Sequence, residues 1–569
     1  MASAGPINPA LIQEHVQVRQ LHFIEHIDSE LSFRDQDKSG GNAIVKVREE
    51  QIIFITKSGD GHILVALHDD PENRDRPFEL SGVSSPELPQ PVVDAHLLRD
   101  LPEGLKGSAN HRLHVIISTR SGVGLAQSFY DGVVEPLLAS LGLKPRTHSD
   151  NDLLATSAQD DSLAAADGCT YNLVVTQSSR TIKDFARDLW RRIPEVPAGQ
   201  RHTILLLSGD GGVVDLLNGS REPPMPGTVQ HHHHHPTIAI APLGTGNALF
   251  HSLHKPHYSS GDGSKPPPPS HFALALRTLL RGAARPLPTF KAAFSPGARL
   301  ITYAPPGAAT ADGNGTASTT TTNGDSNASD NKLEEHADAV DHLYGAIVAS
   351  YGFHAQLIWE SDTPDYRRHG DKRFAMVAGE LLKSSHQYRA EVEVVLASSS
   401  GGDGGGGGGG KKTAVLLDGS GGTTTTTASN EAAANHHDDG DRGDGRGRFT
   451  YVLATMVSNL EKTFTISPAS RPLDGRLRLV HFGGADGRQT MEIMKAAYQE
   501  GRHVGMAWSG GGEKRAVGYD EVDEVKITVG ESDARWRKVC VDGVVVEVPE
   551  GGWMSLSKVA RPSYRVLVA

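Results

Sequence analysis

The residues of this 569-residue chain best suited to chemistry read Ser208-Gly209-Asp210-Gly211. An aspartate held between glycines contributes little to packing. Its carboxylate suits two tasks, meeting a phosphate-bound Mg²⁺ or taking a proton from a hydroxyl nucleophile. Asp215 and Asn218-Gly219 follow closely. Two other loops carry matching chemistry. Ser118-Thr119-Arg120-Ser121-Gly122-Val123-Gly124 combines hydroxyls, a cation and glycines that let a backbone approach an anion. Pro242-Leu243-Gly244-Thr245-Gly246-Asn247-Ala248 offers amides, a hydroxyl and a side-chain amide suited to polyphosphate. Any one of these is equally well an ordinary Gly-rich turn. The chain carries its own warning: Ser58-Gly59-Asp60-Gly61 repeats the same four residues between two apolar runs with no helix after it, and reads as a hairpin turn.

What separates the three loops from that copy is where they fall. Between residues 110 and 290 short apolar runs (114–118, 173–176, 203–207 and 237–241) alternate with helical spacing at 125–141, 181–193, from 213 and from 248. Strand-helix alternation implies a parallel sheet covered on both faces. In such a sheet ligands bind beyond the carboxyl ends of the strands. All three loops lie there, and Thr176 ends the remaining strand with a hydroxyl that could reach the same crevice. Three Gly-rich loops on successive strand ends of one sheet point to a nucleotide site, each preceding a helix N-terminus that offers free N–H groups. Neither G-x-x-x-x-G-K-[ST] nor G-x-G-x-x-G occurs in the block, so a P-loop or a dinucleotide fingerprint is not supported.

The rest of the chain frames this block. Residues 1–107 read as a small β-rich module, with 51–56 and 62–67 forming the hairpin. Residues 291–569 carry strand-like runs at 343–350, 388–396, 449–457, 525–528 and 538–548, which predict a mostly antiparallel second lobe. Two insertions, 307–331 and 399–449, are small, polar and Gly/Thr-rich, and are expected to be disordered, with one apolar island at 415–417. Residues 220–236 and 256–270 read as lengthened loops. A net charge of −12 argues against a nucleic-acid binder, and no apolar run approaches the ~18 residues of a membrane span. Two cysteines, Cys169 and Cys540, build no disulfide framework and no metal motif. The expected location is cytoplasmic, with peripheral contact to intracellular membranes.

The ordered set Ser208-Gly209-Asp210-Gly211, Asp215, Asn218-Gly219 and Pro242-Leu243-Gly244-Thr245-Gly246-Asn247-Ala248-Leu249 resembles the diacylglycerol kinase catalytic domain superfamily, and within it most closely the sphingosine kinases and related ceramide kinases. Tyr351-Gly352-Phe353, Glu360-Ser361, Tyr366-Arg367-Arg368 and Lys372-Arg373-Phe374 resemble the sphingosine kinase segment that supplies two phosphate-binding arginines, with Arg367 and Arg373 at the matching positions. Val541-Asp542-Gly543 resembles a segment whose Asp approaches the nucleotide, and Asp474-Gly475 an Asp-Gly of the second lobe. The resemblance implies a two-lobed lipid kinase: a Rossmann-like α/β lobe at 108–290 and a β-rich lipid-binding lobe at 291–569, with ATP in the cleft between them. Asp210 would be the general base or act through Mg²⁺. Ser118, Arg120, Ser121, Gly122, Gly124, Thr176, Ser208, Gly209, Gly211, Asp215, Gly244, Thr245, Gly246, Asn247, Arg367, Arg373 and Asp542 would bind the nucleotide. The acceptor would be a sphingoid base first, ceramide or diacylglycerol as alternatives; a silent lipid-binding relative is the non-catalytic alternative, and a homodimer is among the assemblies expected.

The chain departs from that pattern at several points. Ser118-Thr119 stands where the family has Asn-Pro, Gly212 where many relatives have Thr, and Asp215 where they have Glu. Ile358 replaces the Asp that recognises a sphingoid amine, with Gln356 two residues earlier and Glu360 or Asp362 as substitutes. The plainer alternative for Arg367 and Arg373 is a solvated helical face. His231–235 lies in a Pro-rich loop without fixed geometry, and Trp190 and Trp553 fit packing better than stacking on a ligand.

Overall fold

The computed structural model describes the chain apart from residues 1–5, 36–43, 74, 107–110, 147–169, 193–200, 220–234, 259–266, 305–333, 370–371, 398–413, 422, 425–446 and 511–512. The insertion 307–331, most of 399–449, Cys169 and His231 to His234 thus lie outside the described residues. The chain forms two compact units, residues 1–287 with 562–569, and 288–561.

The first unit is built on a seven-stranded sheet. Its centre is four parallel strands, β1 (His111–Ile117), β2 (Thr170–Val175), β3 (Arg201–Ser208) and β4 (Thr237–Pro242). The spatial order is β2-β1-β3-β4. Runs such as Thr203-Ile204-Leu205-Leu206-Leu207 are buried throughout, as strands covered on both faces require. The chain leaves β1 toward one edge and returns to the other side of it at β3, so the switch in direction falls between β1 and β3, where the open-sheet rule puts a ligand. The helices that follow and flank these four strands are α1 (126–140), α2 (Thr181–Arg192), α3 (Asp210–Leu217), α4 (Ala248–Tyr258) and α5 (His271–Arg281). Ser270 caps α5, its hydroxyl accepting the Ala273 N–H at 3.1 Å.

Two features of this unit differ from the sequence expectation. The last strand of the chain, Arg565–Val568, lies here beside β4, parallel to it, rather than in the second lobe. A four-residue apolar run carries no information about its partner, and adjacency in sequence misassigns it. The N-terminal module keeps one core of its own, around Leu31, Phe33, Ile55 and Leu64, and shares a second with the parallel-strand block. One hydrophobic cluster joins Ile12, Phe54, Phe78 and Leu80 to Phe129, Leu137, Leu205 and Phe272. Arg277 of α5 fastens the seam, donating to the carbonyls of Ile52 at 2.7 Å and Glu49 at 2.6 Å. The expected hairpin is present, Ile52–Ser58 pairing with Gly61–Asp69 across Gly59-Asp60, with Gly59 at φ +59°.

The second unit is a 15-stranded antiparallel sheet with helices α6 (Phe353–Ser361), α7 (Pro364–Arg367) and α8 (Lys372–Ser384) among its elements. Tyr388–Leu396 alternates buried and half-buried side chains up to an exposed Leu396. The expectation of disorder across 399–449 needs correction at 414–417 and at the C-terminal end of that segment. Ala414–Leu417 and Gly447–Phe449 are strands, each paired with Tyr388–Leu396. Val415, Leu417 and Phe449 are buried, and an apolar side chain with a sheet edge beside it has enough to gain from ordering. The run 538–548 is a hairpin, Lys538–Val541 against Val544–Glu547, turned by Asp542 and Gly543 at φ +47° and +85°.

Candidate functional site

The carboxyl ends of β1, β3 and β4 meet through backbone contacts that only glycine allows. A Cβ on Gly244 would lie 2.4 Å from the Gly209 Cα, and one on Gly209 would lie 2.7 Å from the Gly244 Cα. Gly122, at φ +55°, is pressed on the Leu243 carbonyl, which a Cβ there would meet at 2.5 Å. Hydrogen bonds complete the lock. Ser121 Oγ accepts the Gly209 N–H at 2.7 Å, the Ser118 N–H bonds Leu207 O at 3.0 Å, and the Leu243 N–H bonds Ser208 O at 3.1 Å. Loops 118–124, 208–212 and 242–247, far apart in sequence, are thus one surface.

Asp210 sits at its centre and opens α3. Its carboxylate also reaches the start of α4, Oδ2 accepting the Ala248 N–H at 2.7 Å and Oδ1 the Leu249 N–H at 3.1 Å. These amides and the helix dipole favour the charged form. Burial opposes them and dominates, pushing the carboxyl up to about 6. Each oxygen keeps a second lone pair, so the group can still accept a proton or a metal bond. Asp215, one turn further along α3, is likewise raised by burial to about 6, with Lys183 of α2 at 3.6 Å as its counter-charge.

The remaining residues named for nucleotide binding divide by environment. Asn247, at φ +51°, spends its side chain on its own loop, accepting from Gly244 N–H at 2.9 Å and donating to Gly244 O at 2.8 Å and Pro242 O at 3.3 Å. It shapes the loop from within. Thr176 pairs with Thr119: its Oγ1 accepts the Thr119 N–H at 3.0 Å, and the Thr119 hydroxyl donates to Thr176 O at 3.2 Å. A proline at 119 could not make the first of these bonds, so the Ser-Thr departure comes with a partner of its own. Ser208 is buried, and its side chain occupies the space a Cβ on Gly212 would enter, with Oγ at 2.6 Å. That accounts for glycine rather than threonine at 212. Arg120, Gly122, Gly124, Gly211 and Thr245 are exposed and Gly246 half-buried, so their backbones face solvent. The N–H groups of Gly122, Thr245 and Gly246 make no hydrogen bond within the described residues. Free amides, a Gly-only cradle and a carboxylate are what a Mg²⁺-polyphosphate needs. The described residues hold no cluster of three or more metal-ligating side chains. A Mg²⁺ carried by the phosphates would meet Asp210, which would then act through the metal instead of as the proton acceptor.

In the second unit, Arg367 and Arg373 do converge, but on a carboxylate of their own. Arg367 bonds Asp362 in bidentate fashion, Nε to Oδ1 at 3.0 Å and Nη2 to Oδ2 at 2.6 Å, and Arg373 Nη1 lies 3.7 Å from Oδ1. Glu360 is held by Arg535 at 2.8 Å and by Gln356 at 2.7 Å. Asp542 is buried and accepts the N–H groups of Ala346, Ile347 and Val348 at 2.6–3.1 Å. The expected nucleotide contact of Asp542 thus meets a carboxylate already taken up by three amides. Asp474 binds the buried Arg478 at 2.9 Å. Sequence reasoning missed the partners: nothing local to Asp210, Asp215 or Glu360 marks Ala248, Lys183 or Arg535. Trp190 donates to the Tyr564 hydroxyl at 2.8 Å and packs on its ring, as expected of a packing residue.

Residues 112–291 match the family model of the diacylglycerol kinase catalytic domain. The match spans the whole parallel-strand block and its three loops, and it supports a lipid kinase in general with ATP as co-substrate. Among solved structures, the chain is similar to a diacylglycerol kinase from Bacillus anthracis str. Sterne at 11% identity, covering 80% of this chain and 97% of that one with a TM-score of 0.36. Two candidate diacylglycerol kinases from the same organism are similar at 10% and 12% identity, covering 82% and 80% of this chain and 97% of their own, with TM-scores of 0.41 and 0.38. These likenesses are too distant to carry residue roles. A comparison with curated protein sequences gives no match. Among the described residues no helix is long and apolar enough to cross a membrane.

Proposed function

We propose that the protein transfers the γ-phosphoryl group of ATP to the hydroxyl of a long-chain lipid. The observation that carries this reading is the interlocked surface of loops 118–124, 208–212 and 242–247 with Asp210 at its centre. Phosphoryl transfer requires chiefly positioning and charge neutralisation. The free amides of Gly122, Thr245 and Gly246 would hold the phosphates, and Mg²⁺ supplies further neutralisation when bound. Asp210 accepts the hydroxyl proton as the acceptor oxygen bonds to phosphorus and the bond to ADP breaks. A base held near pH 6 is ionised at neutral pH yet still basic enough to take that proton. Peripheral contact with a cytoplasmic membrane face is proposed as the source of the lipid.

For the acceptor we favour a neutral head group, diacylglycerol before ceramide, over the sphingoid base expected from the motifs. A sphingoid ammonium needs a carboxylate partner. Position 358 is isoleucine, Gln356 is buried, and Glu360 and Asp362 are both engaged by arginines. Freeing either would leave a guanidinium unpaired.

The test is labelled-phosphate transfer from Mg-ATP to diacylglycerol, ceramide, sphingosine and phytosphingosine, with Asp210→Asn beside the wild type. Product from a neutral lipid, lost in the variant, is expected. Transfer confined to sphingoid bases would overturn the acceptor assignment. ATP binding without transfer to any lipid would overturn the activity and favour a silent relative.

A further inference from the structure

The N-terminal module has no chemistry of its own, yet one of its strands touches the helix that carries the first phosphate loop. That helix, α1, begins directly after Gly124 and is not uniform. Ala126–Phe129 and Glu135–Ser140 are α-helical, and Tyr130–Val134 between them is a π turn. The sequence supplies a cause. Pro136 has no N–H to give, and its ring would strike the carbonyl of Gly132 four residues earlier in a regular helix. Widening the turn relieves that clash, and the Glu135 N–H bonds Tyr130 O, five residues back.

The widened turn is where the N-terminal module arrives. The strand Phe78–Ser85 begins with its carbonyl against Gly132, where a Cβ would meet Phe78 O at 2.7 Å. The Phe78 ring packs edge-on to Phe129 at 5.0 Å and to Phe272 of α5 at 4.9 Å, and all three rings are buried. Val133 and Val134 in the π turn are fully buried as well. The extra residue of a π turn rotates everything before it by about 100° relative to an unbroken α-helix. The bulge therefore sets the angular phase in which loop 118–124 meets loops 208–212 and 242–247. On the far side that loop meets the other two through the Ser121–Gly209 bond and the Gly122 contact.

We propose that Phe78 and Gly132 are positioning residues for the nucleotide: the N-terminal module braces the π turn of α1 and so holds loop 118–124 in register with the other two loops. The module is then a working part of the kinase domain. This rests on the assignment of those loops to ATP.

Two full-chain variants test it. Gly132→Ala drives a Cβ into the Phe78 carbonyl, and Phe78→Leu removes the ring while keeping an apolar filler. Three quantities are read: the Kd for ATP, the KM for the lipid acceptor, and amide hydrogen exchange in residues 118–124 against 242–247. The expected result is a rise of about tenfold in the ATP Kd. The acceptor KM stays at the wild-type value, and exchange quickens in 118–124 but not in 242–247. Variants that melt earlier yet keep the wild-type ATP Kd and loop exchange would overturn the proposal, since a purely structural contact behaves that way. If Gly132→Ala does not fold, Phe78→Leu decides. Absence of ATP binding by the wild type would defeat the nucleotide assignment instead, and the exchange comparison would still report on the brace.

Discussion

Replacing Asp210 by asparagine separates the demands of folding from those of catalysis. In the wild type, burial lifts the carboxyl from the ordinary 3.8 to about 6. The folded state therefore holds this proton more tightly than the unfolded chain does. The associated stability is fully present below pH 3.8 and is lost as pH rises through about 6. At ~1.4 kcal/mol per pH unit between the two values, the ionised carboxylate costs about 3 kcal/mol at pH 8. Roughly half of that is already incurred at pH 5, because the unfolded carboxyl has ionised there. Asparagine carries no charge and avoids the cost. Its Oδ1 can accept from Ala248 or from Leu249 but not from both, a loss of about 1–2 kcal/mol at every pH. Asp210→Asn should therefore be less stable than, or equal to, the wild type at pH 5, and should gain on it by ~1.4 kcal/mol by pH 8, while phosphoryl transfer is lost throughout. Thermal melts of both proteins across that range supply the measurement, and the trend of their difference with pH is the diagnostic. A difference that does not change with pH, or one in which the variant loses ground as pH rises, would refute the claim that desolvation dominates at Asp210.

Further outcomes are expected elsewhere in the molecule. Gly244→Ala places a Cβ 2.4 Å from the Gly209 Cα, where backbone cannot yield, and should weaken ATP binding at least tenfold by calorimetry, a shift of ~1.4 kcal/mol; Gly211→Ala, with no atom within 4 Å of its new Cβ, should leave the melting temperature within the ~0.5 kcal/mol typical of surface changes. Arg277→Met removes two charged hydrogen bonds to the Glu49 and Ile52 carbonyls and should destabilise the first unit by about 2–3 kcal/mol, seen as earlier melting and faster proteolysis of the N-terminal module. Burial pushes the fully buried Cys540 thiol up to about 12, so alkylation at pH 8 should spare it in the native protein and modify it after denaturation, as mass spectrometry of its peptide would show.

Much of the parallel-strand block in the first unit was legible because its signals are local. A strand covered on both faces has to be apolar along its length, and 203–207 and 237–241 are. The loops at the strand ends could be named from their glycines, and Gly122, Gly209 and Gly244 proved to be the points where backbones touch. The copy at Ser58-Gly59-Asp60-Gly61 could be set aside because no helix follows it, and it is a hairpin turn. The second unit was legible as antiparallel, but 399–449 holds three short strands among its described residues, Ala414–Leu417, Thr423–Thr424 and Gly447–Phe449. The apolar island at 415–417 was visible in the sequence, while its pairing with Tyr388–Leu396 was not. For Asp542 the sequence neighbours matched a nucleotide-contacting segment, and the structure adds what they could not show, that its carboxylate accepts the amides of residues 346–348.

By itself the amino-acid sequence determined the hydrophobic periodicity of the central strands and the glycines at their ends, because each depends on side-chain size and backbone freedom within a few residues. The tertiary structure alone decided which elements became neighbours. Phe78 belongs with Phe129 and Phe272, Arg277 with Ile52, Asp210 with Ala248 and Leu249, and the strand Arg565–Val568 with β4. Burial and pairing are properties of two surfaces at once, and a single stretch of chain carries only one of them.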